Sequence, residues 1–158
     1  MNTVFGVEMK PPKNKEPGFT AQLVKKTAEL ANVMDRDKQL VIMSNQTEAE
    51  ALKEFYQSKE VFEEFFTLVH LSKSTKLTGI FDDYGFVSQN QQFFLYKNMV
   101  SGFTIKQGEE NEIKMALLQF KEHLIARDHE LYYIDRMQIE LIEGIARAYN
   151  LELTFWVE

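Results

Sequence analysis

The 158 residues carry a net charge of −6, are 44% hydrophobic and include no cysteine. A chain of this length can bury the core of one domain, and the lack of cysteine excludes disulfides, thiolate metal sites and thiol nucleophiles. Because neither a signal-peptide pattern nor an apolar run of membrane-spanning length is present, the sequence predicts a cytoplasmic protein with one domain, 1–158, that does not enter the membrane.

The start of the chain predicts a strand, a loop and a helix. Residues 3–8 form a possible first strand, and residues 10–18 combine all three prolines with three lysines, which predicts an exposed loop. Apolar positions three and four residues apart then indicate an amphipathic helix over 19–34.

The next segment predicts a second strand and a long helix. Residues 39–44 are a short apolar run rich in β-formers, and Thr47 to Glu50 match the capping-box pattern of a helix start. Apolar residues keep a helical spacing from Leu52 onward, so the helix is expected to reach about residue 70, either continuously or with a restart at Ser58.

The middle of the chain changes to a strand-like composition. Glycines punctuate runs rich in aromatic and β-branched residues between 76 and 107, which predicts an antiparallel meander with turns near 82–85 and 97–98.

Residues 109–149 hold no proline and consist mainly of strong helix formers. Their spacing fits one long helix or two helices hinged near 127–129; alternatively, residues 130–134 form a strand and Asp135 caps the next helix. Asn150 is expected to end the last helix in a left-handed conformation, and the alternation over 151–157 predicts a final strand.

These elements predict an α+β fold, with helices packed on one mainly antiparallel sheet and a C-terminal helical segment followed by a last strand. No internal repeat is visible, and neither a phosphate-binding glycine loop nor a nucleophile elbow occurs. The commonest nucleotide-binding and hydrolase signatures are therefore missing, and no cofactor is expected.

The excess negative charge lies in the last third of the chain. Residues 1–108 hold 13 basic and 13 acidic residues, whereas residues 109–158 hold 5 and 11, a difference equal to the whole net charge of −6. An acidic field repels phosphate backbones and attracts basic surfaces, so nucleic acid is not an expected partner and a basic protein surface is. The carboxylates expected to steer such a partner are Glu109, Glu110, Glu112 and Glu122.

Some apolar and aromatic residues do not fit a core. Tyr132 and Tyr133 lie together in an acidic segment and Trp156 falls on the polar side of the last strand, so all three are expected to anchor a partner. Met115, Leu118 and Ile125 lie on the far side of their helix, which indicates burial within the domain, by a partner or by a second copy.

The first functional hypothesis is therefore a non-enzymatic binding module, such as an inhibitor, an immunity or antitoxin-type protein, or an adaptor. The alternative is a small metal-assisted hydrolase that uses Asp82, Asp83 and a histidine, although adjacent carboxylates in a probable turn and widely spaced histidines do not predict a metal site. The third hypothesis is a self-associating structural protein, for which a homodimer is possible.

Overall fold

The computed structural model describes residues 1–11 and 16–156; residues 12–15 of the predicted loop 10–18 lie outside the described residues, and the rest of that loop is exposed. The chain divides into two compact units. The N-terminal unit comprises Asn2–His70 with Val87–Gln92, and the C-terminal unit comprises Met1, Leu71–Phe86 and 93–156. The single domain expected from the sequence stays a prediction, and each unit is described by itself.

The N-terminal unit is a βαββαβ arrangement with four strands in the order β2-β3-β1-β4 and antiparallel neighbours. This is the split βαβ topology of ferredoxin-like folds. The elements are β1 (Asn2–Met9), α1 (Phe19–Leu30), β2 (Asp35–Asp37), β3 (Leu40–Met43), α2 (Gln46–Ser58) and β4 (Phe62–His70).

A buried polar contact joins the two helices of this unit. The Thr27 hydroxyl donates to the carbonyl oxygen of Leu23 at 2.7 Å and lies 2.7 Å from the Tyr56 hydroxyl. Since the threonine has only one hydroxyl proton, the tyrosine donates to it, and both buried hydroxyls are satisfied.

The segment Val87–Gln92 belongs to the N-terminal unit because a buried carboxylate holds it there. Asp35 is 3% exposed, and its side chain accepts hydrogen bonds from the Ser88 hydroxyl and from the amides of Arg36 and Asn90, the last two at 2.7 and 3.3 Å. The Ser88 hydroxyl also accepts from the amide of Gln92 at 3.0 Å. A buried charge is tolerated when it is satisfied in this way.

The C-terminal unit contains a sheet in the order β11-β8-β10-β9-β5. It also contains β7 and the first two residues of β6, and these two strands are hydrogen-bonded to each other. Single 3-10 turns at Phe81–Asp83, Lys97–Met99, Lys121–His123 and Arg136–Gln138 join some of the elements. The elements are β5 (Lys76–Leu77), β6 (Gly85–Val87), β7 (Phe93–Tyr96), β8 (Val100–Gln107), α3 (Glu110–Phe120), β9 (Leu124–Asp128), β10 (Leu131–Asp135), α4 (Ile139–Ala148) and β11 (Glu152–Trp156).

Phe103 lies at the centre of the C-terminal core. It is fully buried, and its ring centroid lies 5.5 Å from Phe120, 5.2 Å from Tyr132 and 5.5 Å from Phe155. Such aromatic pairs add to the stabilisation from buried area. This cluster joins α3 to β8, β10 and β11.

The two units repeat one topology. The order β11-β8-β10-β9 with α3 and α4 reproduces, element by element, the order β4-β1-β3-β2 with α1 and α2. The β2–β3 and β9–β10 hairpins carry related sequences, RDKQL at 36–40 and RDHEL at 127–131. Lys38 and His129, the third residues of these sequences, have φ of 54° and 53°.

The second helix of each repeat also ends in the same way. A residue at φ near +58° closes α2 and α4, with values of 59° at Glu60 and 58° at Asn150. The next amide reaches back to the last turn, from Val61 to the Tyr56 carbonyl at 3.0 Å and from Leu151 to the Ala146 carbonyl at 2.8 Å. These are Schellman motifs, and the left-handed Asn150 expected from the sequence is confirmed.

A glycine recurs at the matching place on the inner strands β1 and β8. A Cβ at Gly6 would lie 2.9 Å from Leu40 Cδ1, and one at Gly102 would lie 3.3 Å from Leu131 Cδ1. Both leucines begin the third strand of their repeat. The expectation of no internal repeat is therefore wrong, because the repeat lies in topology and in a few backbone-determining residues.

The α+β class, the antiparallel pairing and the final strand after a helix are confirmed, although the strands form two sheets instead of the one expected. Of the meander predicted over 76–107, only the pairing of β6 with β7 is found, because β5 pairs with β9 and β8 pairs with β10 and β11. No helix among the described residues is long and apolar enough to cross a membrane.

The helix expected to reach residue 70 ends at Ser58, and Phe62–His70 is the strand β4. The pairing of β1 with β4 shifts register between Glu64 and Phe62, so Glu63 is an extra residue. This bulge lets Phe62 and Phe65 both pack on the core. Two core-facing residues of one strand are then three positions apart, which is a spacing typical of a helix.

Of the three alternatives for 109–149, the one with a strand between two helices is closest to the structure. β10 contains the predicted strand 130–134 except its first residue, and Asp135 accepts a hydrogen bond from the amide of Met137 at 2.8 Å, as a helix cap does. The strand β9 was not predicted. Ile125 lies in β9 and is fully buried, so it does not belong to a helix face.

Candidate functional site

The candidate site is the outward face of α3. Ala116 and Phe120 are fully buried on its inner side, whereas Met115 and Leu118 are 52% and 68% exposed. Since residues i and i+3 share a helix face, these two side chains form one apolar strip directed away from the core. The sequence indicated burial on two sides of this helix, and the C-terminal unit itself covers only one.

Three of the predicted carboxylates lie together at the start of α3. Glu109 precedes the helix, and Glu110 and Glu112 lie in its first turn, where the helix dipole favours negative charge. Glu122 lies in the 3-10 turn after the helix and is exposed. At 1.5 Å per residue it is about 15 Å from Glu112 along the axis, so carboxylates lie near both ends of the helix. Glu122 follows Leu118 by one turn on the outward side, whereas Glu112 precedes the buried Ala116 by one turn and is partly buried.

Lys114 partly balances these charges. Lys114 Nζ lies 3.6 Å from Glu110 Oε1, and both side chains are more than two-thirds exposed. Exposed pairs of this kind contribute little to stability. The surface comprising Glu109, Glu110, Glu112, Met115, Leu118 and Glu122 is called the α3 face below.

A groove of about 430 Å³ adjoins the α3 face at the start of the helix. Gly108 allows the close packing there, because a Cβ at this position would lie 2.3 Å from Leu151 Cδ2. Glu152, which sequence reasoning missed, adds a carboxylate to the groove and pairs with Lys106 at 3.4 Å. Only the pairing of β11 with β8 brings Glu152 there. The lining residues are Gln107, Gly108, Glu109, Glu112, Asn150, Leu151 and Glu152.

Tyr132 and Tyr133 are not part of an exposed surface. Each is 3% exposed, because both lie on β10, an inner strand of the sheet. Tyr132 stacks on Phe103, and the Arg127 guanidinium lies 4.9 Å from its ring centroid. The structure therefore corrects their assignment as exposed anchors: in a strand covered on both faces, adjacent residues are both buried.

Trp156 is 38% exposed on the edge strand β11. Its neighbour Phe155 packs in the core with Phe120 of α3. Because successive strand residues point to opposite faces, Trp156 and the α3 face lie on opposite faces of this sheet. The role of Trp156 as an anchor stays a prediction, separate from the α3 face.

The buried Tyr133 makes stability fall at alkaline pH. Burial, with a smaller contribution from the charge of Asp128, raises its pKa to about 12 from the usual value of 10.0 for tyrosine. Between these two values the unfolded chain loses the phenol proton first, so rising pH favours unfolding. One such group gives a slope of up to about 1.4 kcal/mol per pH unit.

Tyr133→Phe should therefore reduce the alkaline loss of the free energy of unfolding while changing it little below pH 10. The measurement is denaturant unfolding of both proteins as a function of pH. Equal slopes for the two proteins above pH 10 would show that Tyr133 ionises freely in the folded state.

The residues of the enzymatic alternative do not assemble a ligand cluster. Asp82 and Asp83 are exposed in the turn Phe81–Asp83, and His129 occupies the tip of the β9–β10 hairpin. Within 1–11 and 16–156, no group of three or more His, Cys, Asp and Glu side chains is arranged to hold a metal ion.

The site thus combines an exposed apolar strip with flanking carboxylates, an arrangement suited to contact with a surface that is both basic and apolar. No family model matches the chain, and a search of curated proteins finds no match to it.

Proposed function

We propose that the protein is a non-enzymatic binding module whose α3 face binds a basic surface on another protein. The observation that carries this proposal is the exposure of Met115 and Leu118, at 52% and 68%, between carboxylates at both ends of α3. An inhibitor, an immunity or antitoxin-type protein, or an adaptor would use such a surface.

The apolar strip and the carboxylates have different roles in this proposal. Methionine and leucine provide the buried contact area, and methionine adapts its shape to the partner. The carboxylates raise the association rate and exclude acidic partners. The dipole of α3 accounts for Glu110 and Glu112 without any partner, but it does not account for Met115 and Leu118, which lie together on one face of the helix.

The proposed interaction takes place in the cytoplasm. The support for this is the sequence, which contains no cysteine, as is common where disulfides do not form. The proposed partner is a protein, since a row of carboxylates repels nucleic acid and anionic membrane surfaces.

The test begins with a pull-down from a lysate of the native host. It selects proteins that the wild-type chain retains and that a Met115→Ala, Leu118→Ala double variant does not. Association kinetics are then measured for a retained protein against a variant with Glu109, Glu110, Glu112 and Glu122 replaced by glutamine. We expect the association rate at low salt to fall at least about tenfold, with a weaker dependence on salt.

The matched control replaces four exposed carboxylates of the N-terminal unit by glutamine, so that its net charge equals that of the α3 variant. An unchanged rate for the α3 variant, or an equal loss for the control, would contradict the proposal. The control residues are Glu50, Glu54, Glu63 and Glu64.

A further inference from the structure

The repeat identifies which residues of the N-terminal unit match the α3 face. The buried pair Leu23 and Thr27 in α1 corresponds to Ala116 and Phe120 in α3, since each pair is buried four residues apart on the first helix of its repeat. This alignment places Lys25 at the position of Leu118. The first helices therefore share a fold position and differ in chemistry.

The second helices align through their shared endings. The Schellman motifs place Lys59 at the position of Tyr149. In the C-terminal unit, Gln119 Nε2 donates to the Tyr149 hydroxyl at 2.5 Å and bridges α3 to α4. The matching residues of the N-terminal unit, Lys26 and Lys59, are both cationic and cannot form this bridge.

An open groove of about 370 Å³ lies between α1 and α2 where that bridge is missing. Phe55 provides an apolar part of its lining, and three lysines surround it. Lys26 pairs with Glu29 at 3.8 Å, whereas Lys25 and Lys59 make no ion pair within the described residues. The groove residues are Gln22, Lys25, Lys26, Glu29, Phe55 and Lys59.

The α3 face and this groove are complementary in charge and in polarity. The α3 face presents Leu118 with Glu122 one turn further along, and the groove presents Phe55 with Lys59 one turn further along. A leucine over the phenylalanine would therefore bring a carboxylate into reach of lysines. Burying apolar side chains against each other supplies affinity that charges alone do not.

We infer that the chain associates with a second copy of itself, with the α3 face of one copy seated in the α1–α2 groove of the next. This inference rests on the proposed function, because it identifies the basic partner surface as the groove of a second copy. The contact is heterologous, so association continues either into a closed ring or into an open chain of copies.

The test measures the mass of the wild-type chain by light scattering and sedimentation over a range of concentrations at low and high salt. We expect the mass to rise with concentration and the rise to be smaller at high salt. Two charge-reversal variants, Lys25→Glu with Lys59→Glu and Glu112→Lys with Glu122→Lys, should each weaken self-association at least about tenfold.

The decisive experiment mixes the two charge-reversal variants and measures whether they associate with each other. The acidic groove of one variant fits the basic α3 face of the other, and their two remaining wild-type surfaces fit as in the native contact. The mixture should therefore associate with the two variants alternating, although each variant alone associates only weakly. Leu118→Ala should weaken association without a change in charge, and Glu63→Lys with Glu64→Lys should leave it unchanged. Circular dichroism is used to check that each variant is folded.

Three outcomes would overturn the inference. They are a wild-type chain that stays monomeric, self-association that neither charge reversal weakens, and a mixture that fails to associate. If the α3 variants still lose a host partner while the wild type is monomeric, the proposed function stands and only the self-association fails. If they lose no partner either, both fail.

Discussion

Phe103→Ala is expected to lower the free energy of unfolding by about 3–5 kcal/mol. Phe103 is fully buried and contacts Phe120, Tyr132 and Phe155 at centroid distances of 5.2 to 5.5 Å, so alanine would leave a cavity among three rings at once. Those rings belong to three different elements, which limits how far the structure can relax into the space. Urea unfolding followed by circular dichroism measures the loss.

Phe103→Leu is the matched variant, because it keeps an apolar side chain and removes less volume. It should lose clearly less stability than alanine. Equal losses for the two variants, or a loss below about 1 kcal/mol for alanine, would mean that the aromatic cluster is not the centre of this core.

Asp35→Ala is expected to cost about 3 kcal/mol, because it removes three hydrogen bonds at a residue that is 3% exposed. The buried Ser88 hydroxyl would lose its acceptor, and an unsatisfied buried group costs about 1–3 kcal/mol. The amide of the exposed Asn90 would lose its acceptor too, at a smaller cost because water can replace it. The loss should be accompanied by faster hydrogen exchange and proteolysis within Val87–Gln92.

A double-mutant cycle separates this network from a general effect of the substitution. Ser88→Ala in the Asp35→Ala background should cost less than Ser88→Ala in the wild type, because the two side chains contact each other. Asp35→Asn keeps one acceptor oxygen and should fall between wild type and alanine. Additive losses from Asp35→Ala and Ser88→Ala would contradict the proposed network.

The sequence predicts an element well where one local signal dominates. The first strand, the start of α2 and the left-handed Asn150 were all predicted from local chemistry, and the structure confirms them. The helix start shows the limit of this precision: Asn45 is the cap, accepting from the amide of Glu48 at 3.0 Å, although the capping-box pattern begins at Thr47.

The errors arise where tertiary structure changes the apparent period. The bulge at Glu63 gives β4 a helix-like spacing, and β9 is too short to interrupt the helix-forming composition of 109–149. Tyr132 and Tyr133 look exposed in an acidic segment, yet neighbours distant in sequence cover both sides of their strand. The residues that will cover a strand from distant parts of the chain cannot be identified from a single sequence.

The candidate site was only half predictable. The far-side Met115 and Leu118 and the carboxylates near them were visible from helical spacing and charge placement. Glu152 and the α1–α2 groove were not, because strand pairing and helix packing bring their residues together. The repeat was hidden for a similar reason: nine residues, 10–18, join the first strand and helix of one copy, and two residues join those of the other.

The two units form the same backbone topology from different residues, so a comparison of matching positions shows which residues this topology requires. Gly6 and Gly102 agree because each faces a leucine at close range, so geometry dictates the choice. Lys25 and Leu118 occupy the same position of the repeat but differ in chemistry. The fold therefore does not determine the residue type at this position, and function can determine it. Any unrelated chain that adopts this plan should therefore retain the glycine and be free to vary the outer helix surface.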